Sequence, residues 1–230
     1  MPEFQPNTLW FSGAGFLKEG HIRWCGNEES YTEADNWNMV DVDGVQRWRP
    51  QECETPLRKG VWFWHPNSEK NLKSLEALLE IYHRSVGYGA QLMMGLAPDN
   101  RGLAPESDAA RLREFGIAIR RMYSNNLARG GSIDASRTLI RFPGTVTFDR
   151  VVTMEDLHYG QHVHRYQIEA LVRGAWTVVA AARTIGHKKI DRFPAVTASA
   201  ARLRVLESSA TPRIRDFAVY LGSGAVEPSK

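Results

Sequence analysis

The reading turns on residues 68–96, Ser68-Glu-Lys-Asn-Leu-Lys-Ser-Leu-Glu-Ala-Leu-Leu-Glu-Ile-Tyr-His-Arg-Ser-Val-Gly-Tyr-Gly-Ala-Gln-Leu-Met-Met-Gly-Leu96. Leu72, Leu75, Leu79, Tyr82 and Val86 recur at helical spacing. Ser68 stands where an N-cap belongs and Gly87 where a C′ glycine belongs, which predicts a helix over 68–86. Gln91–Leu96 then reads as a buried strand, and Pro98–Gly102 as a turn. A second helix is expected over 107–123, with Leu112, Phe115, Ile119 and Met122 facing inward.

Working outward, residues 8–13 and Val61–Trp64 read as short apolar strands, and residues 14–60 between them as a long polar, turn-rich loop. Strands alternating with helices argue for parallel strands joined by crossover helices. Beyond the small, polar run from Asn125 the period changes. Strands are expected at 145–152, 162–172, 176–184, 202–207 and 214–221, spaced as in a β-sandwich. The chain is therefore expected to be α/β followed by all-β. The α/β part spans 1–128, a linker 129–134 and a β-sandwich 135–230.

Composition sets limits. Among 230 residues, 43% are hydrophobic and 24% charged, and the net charge of +3 is dispersed. That is too weak and too scattered to indicate a nucleic-acid partner. No apolar run of about 18 residues exists, so no membrane-spanning helix is expected. MPEFQPNTLWF lacks a basic stretch followed by an apolar one, so no secretory signal is expected there and no compartment is assigned. Cys25 and Cys53 form neither a disulfide framework nor a zinc-ligand spacing, and a bond between them has nothing to support it. His158, His162 and His164 raise the question of a metal, but only two of them share a strand face and a third or fourth ligand is not evident, so neither metal nor cofactor is expected.

Several motifs stand in a fixed order: IRWCGNE at 22–28, VWFWHP at 61–66, the 68–94 helix and strand, and APDNRGL at 97–103. The later runs TVTFDRVVTMEDLHYGQHVHRYQIEA and TIGHKKIDRFPAV follow, with Trp176 between them. In this order they resemble the C-terminal half of the family 29 glycoside hydrolases, the α-L-fucosidases. The resemblance implies the last strands and helices of a (β/α)8-type catalytic barrel, then a jelly-roll-like β-sandwich. It implies retaining hydrolysis of terminal α-L-fucosides, with a fucosylated glycan as the partner.

Carried over residue by residue, the general acid/base falls on Glu28. Gly26 allows a tight turn beside it, and Asn27 can fix the loop. Arg23 and Trp24 would flank the sugar or brace the loop. Trp62 would pack against the sugar's apolar face and C5 methyl, with Trp64 and His65 as neighbours. Read without the family, Glu28 is a solvated loop carboxylate and both tryptophans are structural.

The pattern also departs from the family. A retaining mechanism needs a second carboxylate about 5–5.5 Å away. The family's nucleophile aspartate would lie before Met1, and Asp35, Asp41 and Asp43 do not replace it. Gly95 stands where the family usually has asparagine. The loop before Arg23 is longer, with Lys18 and Glu19, and GQHVH replaces a more basic strand. Three expectations follow: an incomplete fucosidase, a catalytically inactive carbohydrate-binding or interaction protein with a barrel remnant, or a chain that self-associates or takes a partner chain to complete the barrel.

Overall fold

A computed structural model describes residues 9–10, 22–25, 31–42 and 44–222. The first unit contains β1 (Leu9–Trp10), β2 (Ile22–Trp24), the β3–β4 hairpin (Met39–Val42 and Val45–Trp48) and β5 (Gln51–Pro56). These are followed by α1 (Leu75–Arg84), β6 (Gln91–Gly95) and α2 (Glu106–Tyr123). β2, β5 and β6 are parallel neighbours, with Arg23 opposite Gln51 and Cys53 opposite Leu92. β1 pairs β2 antiparallel, so the expectation that the first strand is parallel is corrected.

The central strand is β5, inside the stretch expected to be a loop, whereas Val61–Trp64 forms no strand. The physical reason lies in which side chains find cover. Gln51, Cys53 and Thr55 alternate onto a buried face. Glu52 and Glu54 occupy the other face, so an apolar-run search passes over the strand. Val61-Trp62-Phe63-Trp64 has strong β propensity, but Phe63 is 78% exposed.

Helix α1 begins later than its pattern suggests. Ser74 is the N-cap, its hydroxyl accepting from the Ala77 N–H at 3.2 Å. Ser68 is buried and engaged elsewhere: its hydroxyl accepts from Arg58 Nη1 and donates to the His65 carbonyl, both at 2.6 Å. Gly87 is not the terminating glycine either. A Cβ there would lie 3.3 Å from Ile190, so it permits a close approach, while Gly89 (φ +82°) makes the left-handed turn. Leu79 of α1 packs with Ala118 and Met122 of α2.

The second unit is one antiparallel sheet, ordered β10-β9-β11-β8-β12, with β7 added at β8. Its strands are β7 (Ser132–Ile133), β8 (Leu139–Glu155), β9 (Val163–Val172), β10 (Ala175–Ala182), β11 (Lys189–Ser208) and β12 (Ile214–Tyr220). β8 and β11 are far longer than the expected 145–152 and 202–207, and β7 falls within the expected linker. β11 pairs β8 through its first part and β9 through its second. The β11–β8 register shifts between Arg192 and Val196. Pro194 lies there and has no N–H to give the ladder. Phe148, Tyr166, Ile168, Val151, Phe217 and Val219 form the core. The chain is thus mostly β-sheet with few helices.

His83, near the end of α1, joins the two units. Its Nε2 lies 2.8 Å from Tyr123 Oη, and Arg192 Nη1 of β11 donates to its Nδ1 at 3.4 Å. Burial, then the charges of Arg192 and Arg150, hold its pKa down to about 4. A base depressed in the folded state contributes its full share of stability above the ordinary pKa of about 6.5. That share is lost as pH falls through 6.5 toward 4, because the unfolded chain then binds the extra proton. Acidification from pH 7 to about 4.5 is expected to cost about 2–3 kcal/mol at this residue. In urea titrations His83→Gln should lose less stability over that window than wild type. Superimposable pH profiles would show that His83 is not responsible.

Candidate functional site at the strand ends

Glu28 lies outside the described residues, but both sides of its segment are described. The Cys25 N–H donates to the Glu52 carbonyl at 2.9 Å, and the Arg23 N–H to the Pro50 carbonyl at 2.9 Å. The Arg23 side chain is buried. Nη2 donates to the Trp37 carbonyl at 2.8 Å, to Asn38 Oδ1 at 2.6 Å and to Asn36 Oδ1 at 3.2 Å, and Nε donates to the Arg49 carbonyl at 3.2 Å. Burial lowers its pKa. A guanidinium whose donors serve four protein oxygens is fixed in place, and it fixes residues 36–38 in return. The Trp24 backbone lies opposite Glu52.

Trp62 is 37% exposed, and its ring lies over Gly95 at the end of β6. A Cβ at Gly95 would come within 2.8 Å of Trp62 Cζ3. The glycine that departs from the family pattern therefore makes room for the indole. Arg58, two residues after β5, holds the base of this loop. Nε and Nη2 grip the Asp108 carboxylate at 2.7–3.2 Å, and Nη1 reaches Ser68.

Glu52 and Glu54 escape a sequence search because the stretch holding β5 reads as loop. The strict alternation of Gln51, Cys53 and Thr55 with the two glutamates was the available signal. Burial first, and the Glu54 charge second, raise the Glu52 pKa. Asp35 is exposed, 3.9 Å from Arg183. Asp41 lies in the β3–β4 hairpin, and Asp43 lies outside the described residues.

The three histidines do not converge. His158 faces Asp156 at 3.0 Å, His162 faces Ser209 at 3.0 Å, and His164 stacks on Trp37 with ring centroids 4.4 Å apart. Among the described residues no group of three or more His, Cys, Asp or Glu side chains is placed to hold a metal ion. Cys25 and Cys53 form no disulfide, and the hydrogen bond to Cys25, then burial, raises the Cys53 pKa. A cleft of about 710 Å³ lies between β5 and the start of α1, lined by Tyr31, Thr55, Lys59, Lys70, Lys73 and Ile81 among others. Neither Arg23 nor Trp62 lines it.

No family model matches the chain. Alpha-L-fucosidase 1 of Arabidopsis thaliana is 26% identical, over 95% of this chain and 52% of its own length. The chain spans about half the length of the curated relatives it matches. A solved structure from Bacteroides thetaiotaomicron VPI-5482, provisionally an α-L-fucosidase, is 35% identical with a TM-score of 0.79, over 86% of this chain and 50% of that one. A glycoside hydrolase 29 member from a rumen bacterium is 29% identical with a TM-score of 0.80, over 90% and 41%. The Ruminococcus gnavus GH29 fucosidase solved with fucose is 25% identical with a TM-score of 0.78, over 89% and 51%. The chain is similar to the C-terminal half of the glycoside hydrolase family 29 α-L-fucosidases.

Proposed function

We propose that this chain is the C-terminal half of a retaining α-L-fucosidase. Residues 1–128 would form the last part of a (β/α)8-type barrel, 129–134 a linker and 135–230 a jelly-roll-like β-sandwich. Glu28 is the general acid/base. It protonates the glycosidic oxygen as fucose leaves and then deprotonates the water that releases the sugar. The nucleophile aspartate comes from the preceding barrel strands, which this sequence does not contain. Arg23 braces the acid/base loop, Trp24 flanks the sugar, and Trp62 offers its half-exposed ring to the sugar's apolar face. The substrate is a fucosylated glycan.

The observation that carries this reading is the placement of Arg23 and Trp62. Arg23 lies within β2 and Trp62 in the loop after β5, two of the three parallel strands of the four-stranded sheet. Loops that follow barrel strands are where (β/α)8 enzymes carry their chemistry.

The test uses the complete protein that carries this sequence. Glu28→Gln is expected to cut turnover of fucosides with poor leaving groups by about 10²–10⁴-fold. Activated aryl fucosides, which need no protonation, should be largely spared. Equal losses on both substrates would remove Glu28 from the acid role.

A further inference from the structure

The segment that follows the Glu28 loop, residues 31–38, is held by the first unit and also by the large sheet. From its own unit, the Thr32 N–H donates to the Arg84 carbonyl at 3.1 Å, and Asn36 Nδ2 donates to the Tyr88 carbonyl at 3.0 Å. Arg23 adds its three contacts to Asn36, Trp37 and Asn38. From the second unit, Gln161, just before β9, bonds two of these residues. Its Oε1 accepts from the Asn38 N–H at 3.0 Å, and its Nε2 donates to the Asn36 carbonyl at 3.3 Å. His164 stacks on Trp37 between them, and Lys189 Nζ donates to the Ala34 carbonyl.

Gln161 is itself prepared for this contact. It is 1% exposed, and the turn that carries it is tied down by one carboxylate. Glu155 accepts the N–H groups of His162 at 2.8 Å, Val163 at 3.1 Å and Gly186 at 2.8 Å. Gly186 adopts φ +63°, and a Cβ there would lie 2.9 Å from Gln161 Nε2. The amide is therefore walled in and oriented before it meets the segment. One group that both accepts and donates across two residues sets register as well as distance.

We propose that Gln161 is a positioning residue for the reaction: through Asn36 and Asn38 it fixes the segment that leads away from the acid/base loop. This rests on the reading of Glu28 above. The large sheet then acts as part of the support of the catalytic centre, and not only as an appended module. The reason such support matters is geometric, since misplacing a reacting group by about 1 Å can cost about 10²-fold in rate.

The test compares Gln161→Met, which keeps the side-chain length and removes both hydrogen bonds, with wild type and Glu28→Gln in the complete protein. On poor leaving groups kcat should fall about 10- to 100-fold, with activated aryl fucosides changed by less than about threefold. Amide exchange across residues 31–38 should quicken about tenfold or more while α2 is unchanged. His164→Leu, which removes the Trp37 stacking partner at a half-buried position, should show the same signature more weakly and covers the case in which Gln161→Met does not fold.

Unchanged exchange, or equal losses on both substrates, overturns the proposal. Leaving-group dependence in Glu28→Gln but not in the Gln161 and His164 variants overturns this inference alone. Its absence in Glu28→Gln itself overturns the reading of Glu28, and the inference falls with it.

Discussion

Asp108→Asn is expected to lower the unfolding free energy by about 3–5 kcal/mol. Arg58 and Asp108 are both buried, and the guanidinium meets the carboxylate in a two-point grip. Asparagine keeps the volume and an acceptor oxygen but removes the buried counterion of Arg58. Ser68 and Ser107 remain as neutral partners at 2.6 and 3.4 Å, and the exposed Glu69 carboxylate, 3.6 Å from Nη1, balances the charge only in part. The double change Arg58→Met with Asp108→Leu removes both charges and should recover much of the loss, since apolar replacement of a buried pair is often close to neutral. Urea midpoints for the three proteins check this. A single variant as stable as wild type would mean that water reaches Arg58. The pair joins the loop after β5 to the first turn of α2, so the single variant should also loosen Trp62.

Glu155→Leu is expected to cost about 3–5 kcal/mol. Its buried carboxylate accepts three backbone N–H groups, from His162, Val163 and Gly186. Leucine fills the space and satisfies none of them. Glutamine should cost less, because it keeps one acceptor oxygen. Urea midpoints rank the variants, and amide exchange at positions 162, 163 and 186 locates the damage. Slow exchange at all three sites in the leucine variant would show that other acceptors replace the carboxylate.

Elements with a regular period were legible in the sequence. α2, β6, β9, β10 and β12 lie close to where helical spacing or alternation placed them. β5 is hidden because its second face carries Glu52 and Glu54, and strand propensity points instead to Val61–Trp64, where Trp62 and Phe63 are exposed. β8 and β11 were read as shorter strands because Pro143, Gly144 and Pro194 interrupt the pattern while the pairing continues around them. In the site, motifs singled out Arg23 and Trp62 but gave no account of their surroundings. The grip of Arg23 on Asn36 and Asn38 spans a stretch read as loop. Gln161 was invisible for another reason: its partner Asn38 is 123 positions away, and no local pattern records a contact of that range.

The shared strand β11 shapes how the large sheet is made. β9 and β10 are joined by the two-residue turn Arg173-Gly174, at φ +50° and +85°, and can close as soon as both have left the ribosome. β8 ends at Glu155, but the strand that covers one of its edges begins only at Lys189. At about 5–20 residues per second, a ribosome needs about 2–7 s to bridge that interval. During translation β8 therefore waits without β11 on that edge while the β9–β10 hairpin closes. That interval is when a nascent chain of this design is most open to capture by a chaperone or by another copy of itself.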